Sequence, residues 1–147
     1  MILVDANLVI YAYHSGHPHH VAARSWLEDS IGGSEPVGFA VVTLLAFLRI
    51  STDPRIHREP LSTATAIGII RSWLDHPNVR MASPTEAHWR TLQEVSAKGQ
   101  ARGPLLMDAH LAALAIEHGA TLATTDRDFS RFPGLRTMDP VTAARAR

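Results

Sequence analysis

The chain has 147 residues, 46% of them hydrophobic, which is enough to bury a real core in one domain. Lys plus Arg and Asp plus Glu are 14 each, so no global basic field points to a nucleic-acid partner, and the absence of cysteine excludes disulfides and thiolate metal sites. No run approaches the ~20 apolar residues of a membrane-spanning helix, and no repeat of solenoid period is present.

Residues 1–4 form a continuous apolar run, the pattern of a central strand covered on both faces. Before it there is no basic n-region, and Asp5 and Asn7 interrupt the apolar stretch, so a signal peptide is not expected and the chain is placed in the cytoplasm. Asp5 stops the strand. Asn7 suits the cap of a short helix over 8–13, and one reading makes both residues capping chemistry only. The other is positional: an acid directly after a buried strand lies at the carboxyl edge of a sheet, where open α/β sheets place their ligands.

Residues 14–20 read as a polar loop carrying His17, His19 and His20. No H-E-x-x-H spacing occurs among the nine histidines, so they are expected as loop or surface residues rather than zinc ligands. A helix over 21–31 follows from the spacing of Val21, Ala22, Trp26 and Leu27, and Gly32 and Gly33 end it. A second strand spans 37–42 and runs into a helix over 43–50. The segment 51–60 is a loop with Pro54 and Pro60. Around it Arg49, Arg55, His57 and Arg58 form a local basic cluster suited to phosphates or to plain solvation. Helices are predicted over 61–74, with Ser62 as cap and His76–Pro77 as stop, and over 85–98, with Ala87, Trp89, Leu92 and Val95 as its apolar stripe. A short strand over 79–82 separates them. Lys98 and Arg102 flank a flexible approach to the next helix.

That helix is opened by Gly103 and Pro104 and closed by Gly119. At about 100° per residue, His110 and Glu117 share one side and Asp108 lies opposite, among Leu111, Ala112 and Ala115. A carboxylate facing packed interior needs a cation or several donors. A strand over 121–125 then delivers Asp126 and Asp128 at its carboxyl end, where turn-capping is the competing role. Phe129 and Phe132 are expected to pack, Pro133–Gly134 to turn, 135–138 to add an edge strand, and the tail to Arg147 to be short and polar. Four or five short strands interleaved with helices imply an α/β fold: a three-layer sandwich with a central parallel sheet flanked by helices, residues 1–147 forming a single domain.

If Asp5, Asp108 and Asp126 converge, with Asp128 near, their repulsion is relieved by a hard divalent cation. Oxygen-only ligands point to Mg2+ or Mn2+, and such an ion polarises a phosphoryl oxygen and activates water, which makes phosphodiester hydrolysis the expected reaction. Thr125, beside Asp126, is positioned to hydrogen-bond a ligand carboxylate or to pack as an ordinary strand residue.

The segments VDANLVIYA, LLAFLRIST followed by DPRI, and above all MDAHLAALAIEHGATLATTDRDFSRFPGL resemble the PIN-domain ribonucleases of the VapC toxin family, over nearly the whole chain. The resemblance implies a PIN-like fold and a metal-dependent endoribonuclease, commonly a homodimer. Such an enzyme cuts structured RNA such as tRNA or rRNA and is silenced by a cognate VapB-type antitoxin. Asp5, Asp108 and Asp126 match the family's metal-binding acids, and Asp128 matches a fourth position that often assists. The family often carries a Glu in the helix over 43–50; here that position is Ala46, and no acid occurs between Gly38 and Thr52, which leaves open whether one metal or two is held. The competing functions are a weakened PIN domain acting as an RNA- or antitoxin-binding module, and a phosphatase with an aspartate nucleophile. The phosphatase is disfavoured because Asn7 stands where its second Asp is expected and no Lys lies in the Asp108 motif.

Overall fold

The computed structural model describes the backbone of residues 1–145 and the side chains through Thr142; residues 146–147, part of the expected polar tail, lie outside the described residues. Five short strands, β1 (Ile2–Val4), β2 (Val37–Phe39), β3 (Val79–Met81), β4 (Thr121–Ala123) and β5 (Arg136–Met138), form one sheet in the order β3-β2-β1-β4-β5. Every neighbouring pair is parallel. The seven helices of the described residues are α1 (Ala6–Tyr13), α2 (His20–Gly32), α3 (Val41–Ser51), α4 (Thr63–Leu74), α5 (His88–Lys98), α6 (Leu105–Glu117) and α7 (Pro140–Arg145), with a 3₁₀ turn at Arg127–Arg131.

Side chains alternate across the strands with period two, and the two faces have separate cores. Val4, Val37, Phe39 and Ala123 pack beneath α1 to α4, where Phe39, Phe47 and Trp73 interleave with Tyr13. Leu3 and Leu122 point the other way and meet Val95 of α5, the alanine-rich face of α6, Phe129 and Phe132. These two cores on either side of one sheet are the expected three layers. The ring of Phe132 lies so close to Gly99, at the end of α5, that a Cβ there would stand 2.5 Å from it.

Four local departures from the sequence expectation have physical reasons. β2 ends at Phe39, so Val41 and Val42 belong to α3, whose outward face leaves Val41 and Leu45 exposed. The first helix starts at Ala6 with Asp5, not Asn7, as its cap, because the Asp5 carboxylate reaches the Ala6 N–H at 2.7 Å. α5 begins at His88, and its buried stripe runs through His88 and Val95 while Trp89 is 79% exposed. The residues after Met138 are not a plain polar tail: Asp139 accepts from the N–H groups of Val141 and Thr142 and starts α7, which buries Val141.

Candidate active site

The strand order places the site. The chain lays β2 and β3 on one side of β1, then returns to lay β4 and β5 on the other, so the connections diverge at the carboxyl ends of β1 and β4. Divergence of this kind opens a crevice in parallel α/β sheets. Residues far apart in sequence meet there: Ile2, Leu3 and Val4 pair with Thr121, Leu122 and Ala123, and the Asp5 N–H bonds the Ala123 carbonyl at 3.0 Å.

Asp5 and Asp108 line one cleft of about 510 Å³. Its other wall is the outer face of α3, with Leu45, Ala46 and Arg49. Thr43 fixes that helix to the strand end, its buried hydroxyl donating to the Val4 carbonyl at 3.2 Å. Asp108 stands in the first turn of α6, where the helix dipole favours an anion. It is half-buried on the cleft rim rather than sunk in the interior as its helical neighbours suggested. Gly119, at φ +59°, closes α6 by letting Ala120 bond back to the Ala115 carbonyl at 2.8 Å, and the chain turns directly into β4.

The carboxylates are coupled. Burial pushes Asp5 up to about 6, and the negative charges of Asp108 and Asp126 push the same way against hydrogen bonds from Thr124 and Ala6. Asp108 is also raised, first by burial and then by Asp126 and Asp128, with Arg131 opposing. Asp126 is exposed, borders a second hollow of about 320 Å³, and accepts the Asp128 N–H at 2.8 Å. It therefore does cap its own turn, and its field still reaches Asp5 and Asp108. Asp128 lies farther out and acts on Asp108 alone.

Thr124, not Thr125, is the hydroxyl that sequence reasoning should have chosen. Its Oγ1 donates to Asp5 Oδ2 at 2.6 Å and accepts the Asn7 amide at 3.3 Å and the Asp126 N–H at 3.0 Å. One buried hydroxyl thus joins three elements of the site. The missed signal was strand length: β4 ends at Ala123, so the first residue past the edge is Thr124. A second network was also missed. His88 is buried between α5 and α6, bonding Glu117 Oε2 through Nδ1 at 3.0 Å and His110 through Nε2 at 2.9 Å. His110 and Glu117 share a helix side as expected, facing away from Asp108, and this network braces α6 from behind.

Do these residues suit a divalent cation? Asp5, Asp108 and Asp126 offer oxygen only, two of the three carboxyls are held above their ordinary range by burial and mutual charge, and Asn7 Oδ1 beside them is buried without a hydrogen-bond partner. Those features fit a hard cation. Among the described residues no three His, Asp or Glu side chains close tightly enough on one point to hold an ion, and each of Asp5 and Asp126 instead accepts from the chain's own donors.

Fold and site together define a parallel α/β protein with a carboxylate-lined hollow at its topological switch point. The profile described as PIN domain matches residues 2–135. Ribonuclease VapC37 of Mycobacterium tuberculosis is 39% identical over 140 residues, covering 95% of this chain and 97% of that protein. Among solved structures, the chain is similar to Mycobacterium tuberculosis VapC20, a sarcin-ricin loop cleaving toxin. The TM-score is 0.66 at 20% identity, over 92% of this chain and 99% of that one. It is also similar to a chain of a toxin–antitoxin complex from Klebsiella pneumoniae, with TM-score 0.63 at 19% identity over 95% and 98%. The chain belongs to the PIN-domain family, on its VapC ribonuclease branch.

Proposed function

We propose that the protein is a metal-dependent endoribonuclease toxin that hydrolyses RNA phosphodiester bonds and is held silent by a cognate VapB-type antitoxin. Its single nuclease domain spans the chain. The observation that carries the reading is the meeting of Asp5 and Asp108 on one cleft at the β1–β4 switch point, with Asp126 tied to Asp5 through Thr124, in a chain 39% identical to a VapC ribonuclease. Asp5, Asp108 and Asp126 are the residues that would hold the ion, drawing closer around it, with Asp128 assisting through its charge on Asp108. A bound Mg2+ or Mn2+ supplies charge neutralisation at the phosphoryl group and an acidified water. The chain's own part is to orient: Thr124 fixes Asp5, the α6 N-terminus carries Asp108, and Leu45, Met107 and Leu111 wall the cleft. Ala46 contributes no ligand, which favours one tightly held ion over two.

The cut RNA is a structured one such as tRNA or rRNA, presented as an unpaired loop that the cleft can admit. A second copy of the chain is the partner we assign to the exposed apolar side chains Val41, Leu45, Leu106 and Met107, of which Leu45 and Met107 also line the cleft. No helix among the described residues is long and apolar enough to cross a membrane, and the site of action is the cytoplasm.

The test is RNA cleavage by purified protein with Mn2+, beside Asp5→Ala and Asp108→Ala. Loss of cutting in both variants with unchanged circular dichroism supports the assignment. Undiminished cutting by the double variant marks a contaminant and ends it. A protein that binds RNA or antitoxin yet never cuts is the binding-module alternative.

A further inference from the structure

A third hollow, of about 640 Å³, lies outside the acidic cleft at the far ends of α1 and α3, bordered by His14, His17, His57, Arg58 and Glu59. Its polar lining is organised. The rings of His14 and His57 stack at 3.6 Å between centroids and 1° between planes, although 43 residues separate them. Tyr11 and His17 stack at 3.9 Å and 9°. His14 Nε2 meets the buried Ser51 hydroxyl at 3.2 Å, which ties the hollow to the last residue of α3. His57 Nε2 is buried and has no hydrogen-bond partner among the described residues, so its bonding capacity is unmet. Arg58 is exposed and makes no ion pair among the described residues, whereas neighbouring Arg55 is committed to Asp53 at 2.9 Å.

We propose that this hollow binds one nucleotide of single-stranded RNA flanking the cut site, its base against the histidine rings and its phosphate on Arg58. The inference rests on the ribonuclease reading and adds a substrate-binding subsite to it.

Three observations favour a nucleotide over a peptide. Stacked heteroaromatic rings are the surface on which proteins hold unpaired bases. Arg58 provides one cation, and the exposed Glu59 beside it limits the mouth to a single phosphate on the Arg58 side. The hollow also lies farther along the helix that walls the cleft: Ala46 and Arg49 line the acidic site, and Ser51, on the buried face of α3, anchors His14 a rise of ~7.5 Å beyond Ala46. Arg49 lies between and is the one cation on the cleft wall, making no ion pair among the described residues. On the proposed path, a strand leaving the acidic site toward the carboxyl end of α3 passes Arg49 before it turns to the histidines.

The experiment uses the full chain carrying Asp108→Asn, without divalent ions, so that binding is read apart from cutting. Uridine and adenosine 5′-monophosphates and eight-nucleotide oligo(U) and oligo(A) are titrated while histidine-ring NMR signals and fluorescence anisotropy are followed. The expected result is movement of the His14 and His57 ring signals, with His57→Ala and Arg58→Gln each weakening oligonucleotide binding roughly fivefold to tenfold, the size of one lost stacking or phosphate contact. His57→Ala removes the ring, and Arg58→Gln changes an exposed side chain, so either reports if the other fails to fold. Unmoved ring signals with unchanged oligonucleotide affinity overturn the proposal. So does a loss confined to antitoxin binding, which makes the hollow a protein-docking site. Parallel cleavage assays on the otherwise unaltered chain separate the two levels. If that chain cuts RNA while the variants bind as the parent does, the subsite alone is wrong. If it cuts no RNA under any divalent ion, the ribonuclease reading falls first.

Discussion

The Thr124 hydroxyl is bonded to the Asp5 carboxylate across 2.6 Å, although 119 residues separate them in the chain. Thr124 is buried and also receives the Asn7 amide and the Asp126 N–H, so it orients an acid without touching substrate itself. Removing such an outer partner of a metal ligand typically costs about 10- to 100-fold. Thr124→Val is expected to lower kcat by that order with RNA binding little changed, and Thr124→Ser to restore it. Equal loss in the Val and Ser variants, or a loss confined to KM, contradicts a positioning role.

Asp5 gives the apo protein a pH signature. Its folded-state value of about 6 stands above the 3.8 of the free side chain, so between those values the folded chain binds more protons than the unfolded one. Stability is then full at the acid end of the window and declines as pH rises from about 4 to 6. A 2-unit shift corresponds to at most ~3 kcal/mol, and a cleft open to water reduces it to ~1 kcal/mol. The Asp5→Asn protein should lack this decline, and its metal-free melting temperature at pH 7 should exceed that of the parent. A lower melting temperature across the whole range speaks for a purely structural carboxylate.

Ala46 shares the cleft with Asp5 and Asp108. Ala46→Glu adds a fourth carboxylate to that wall, which repels its neighbours when no ion is present and adds a ligand when one is. The variant should melt lower without divalent ions and bind Mn2+ more tightly by calorimetry, roughly tenfold for one added charged oxygen ligand. Unchanged Mn2+ affinity places residue 46 outside ion reach.

Gly99 tests the packing that supports the site from the α5 side. A methyl group there would lie 2.5 Å from the Phe132 ring, and that ring is buried in the core shared with Phe129 and α6. Gly99→Ala is expected to cost about 1–3 kcal/mol by overpacking. Thermal or urea unfolding measures it, and a neutral effect indicates that the ring has room to shift.

Much of the site was legible because its chemistry is local in sequence. Asp5 follows an apolar run that has the pattern of a central strand, and Asp126 follows a short β-leaning segment, so a parallel sheet brings both to one edge. The same reasoning chose Thr125 over Thr124, since strand ends are set by tertiary pairing and not by propensity. The His88 network escaped for a related reason. His110 and Glu117 share a helix face in any helical reading, but their partner comes from another helix whose start was placed three residues early. The spacing of His88, Leu92 and Val95 at i, i+4 and i+7 was the available clue, masked by Trp89, which is bulky, apolar and exposed. The stacking of His14 on His57 joins two loops, and no periodicity reports on that.

The pairing of β1 with β4 also governs timing. Asp5 precedes Asp126 by 121 residues, so a partly synthesised polypeptide that has Asp5 but not yet β4 lacks the parallel neighbour that brings Thr124 and Asp126 to the site. An enzyme assembled in this way has no complete site until β4 lies beside β1, so that strand pairing, rather than the first acid made, sets when its chemistry can begin.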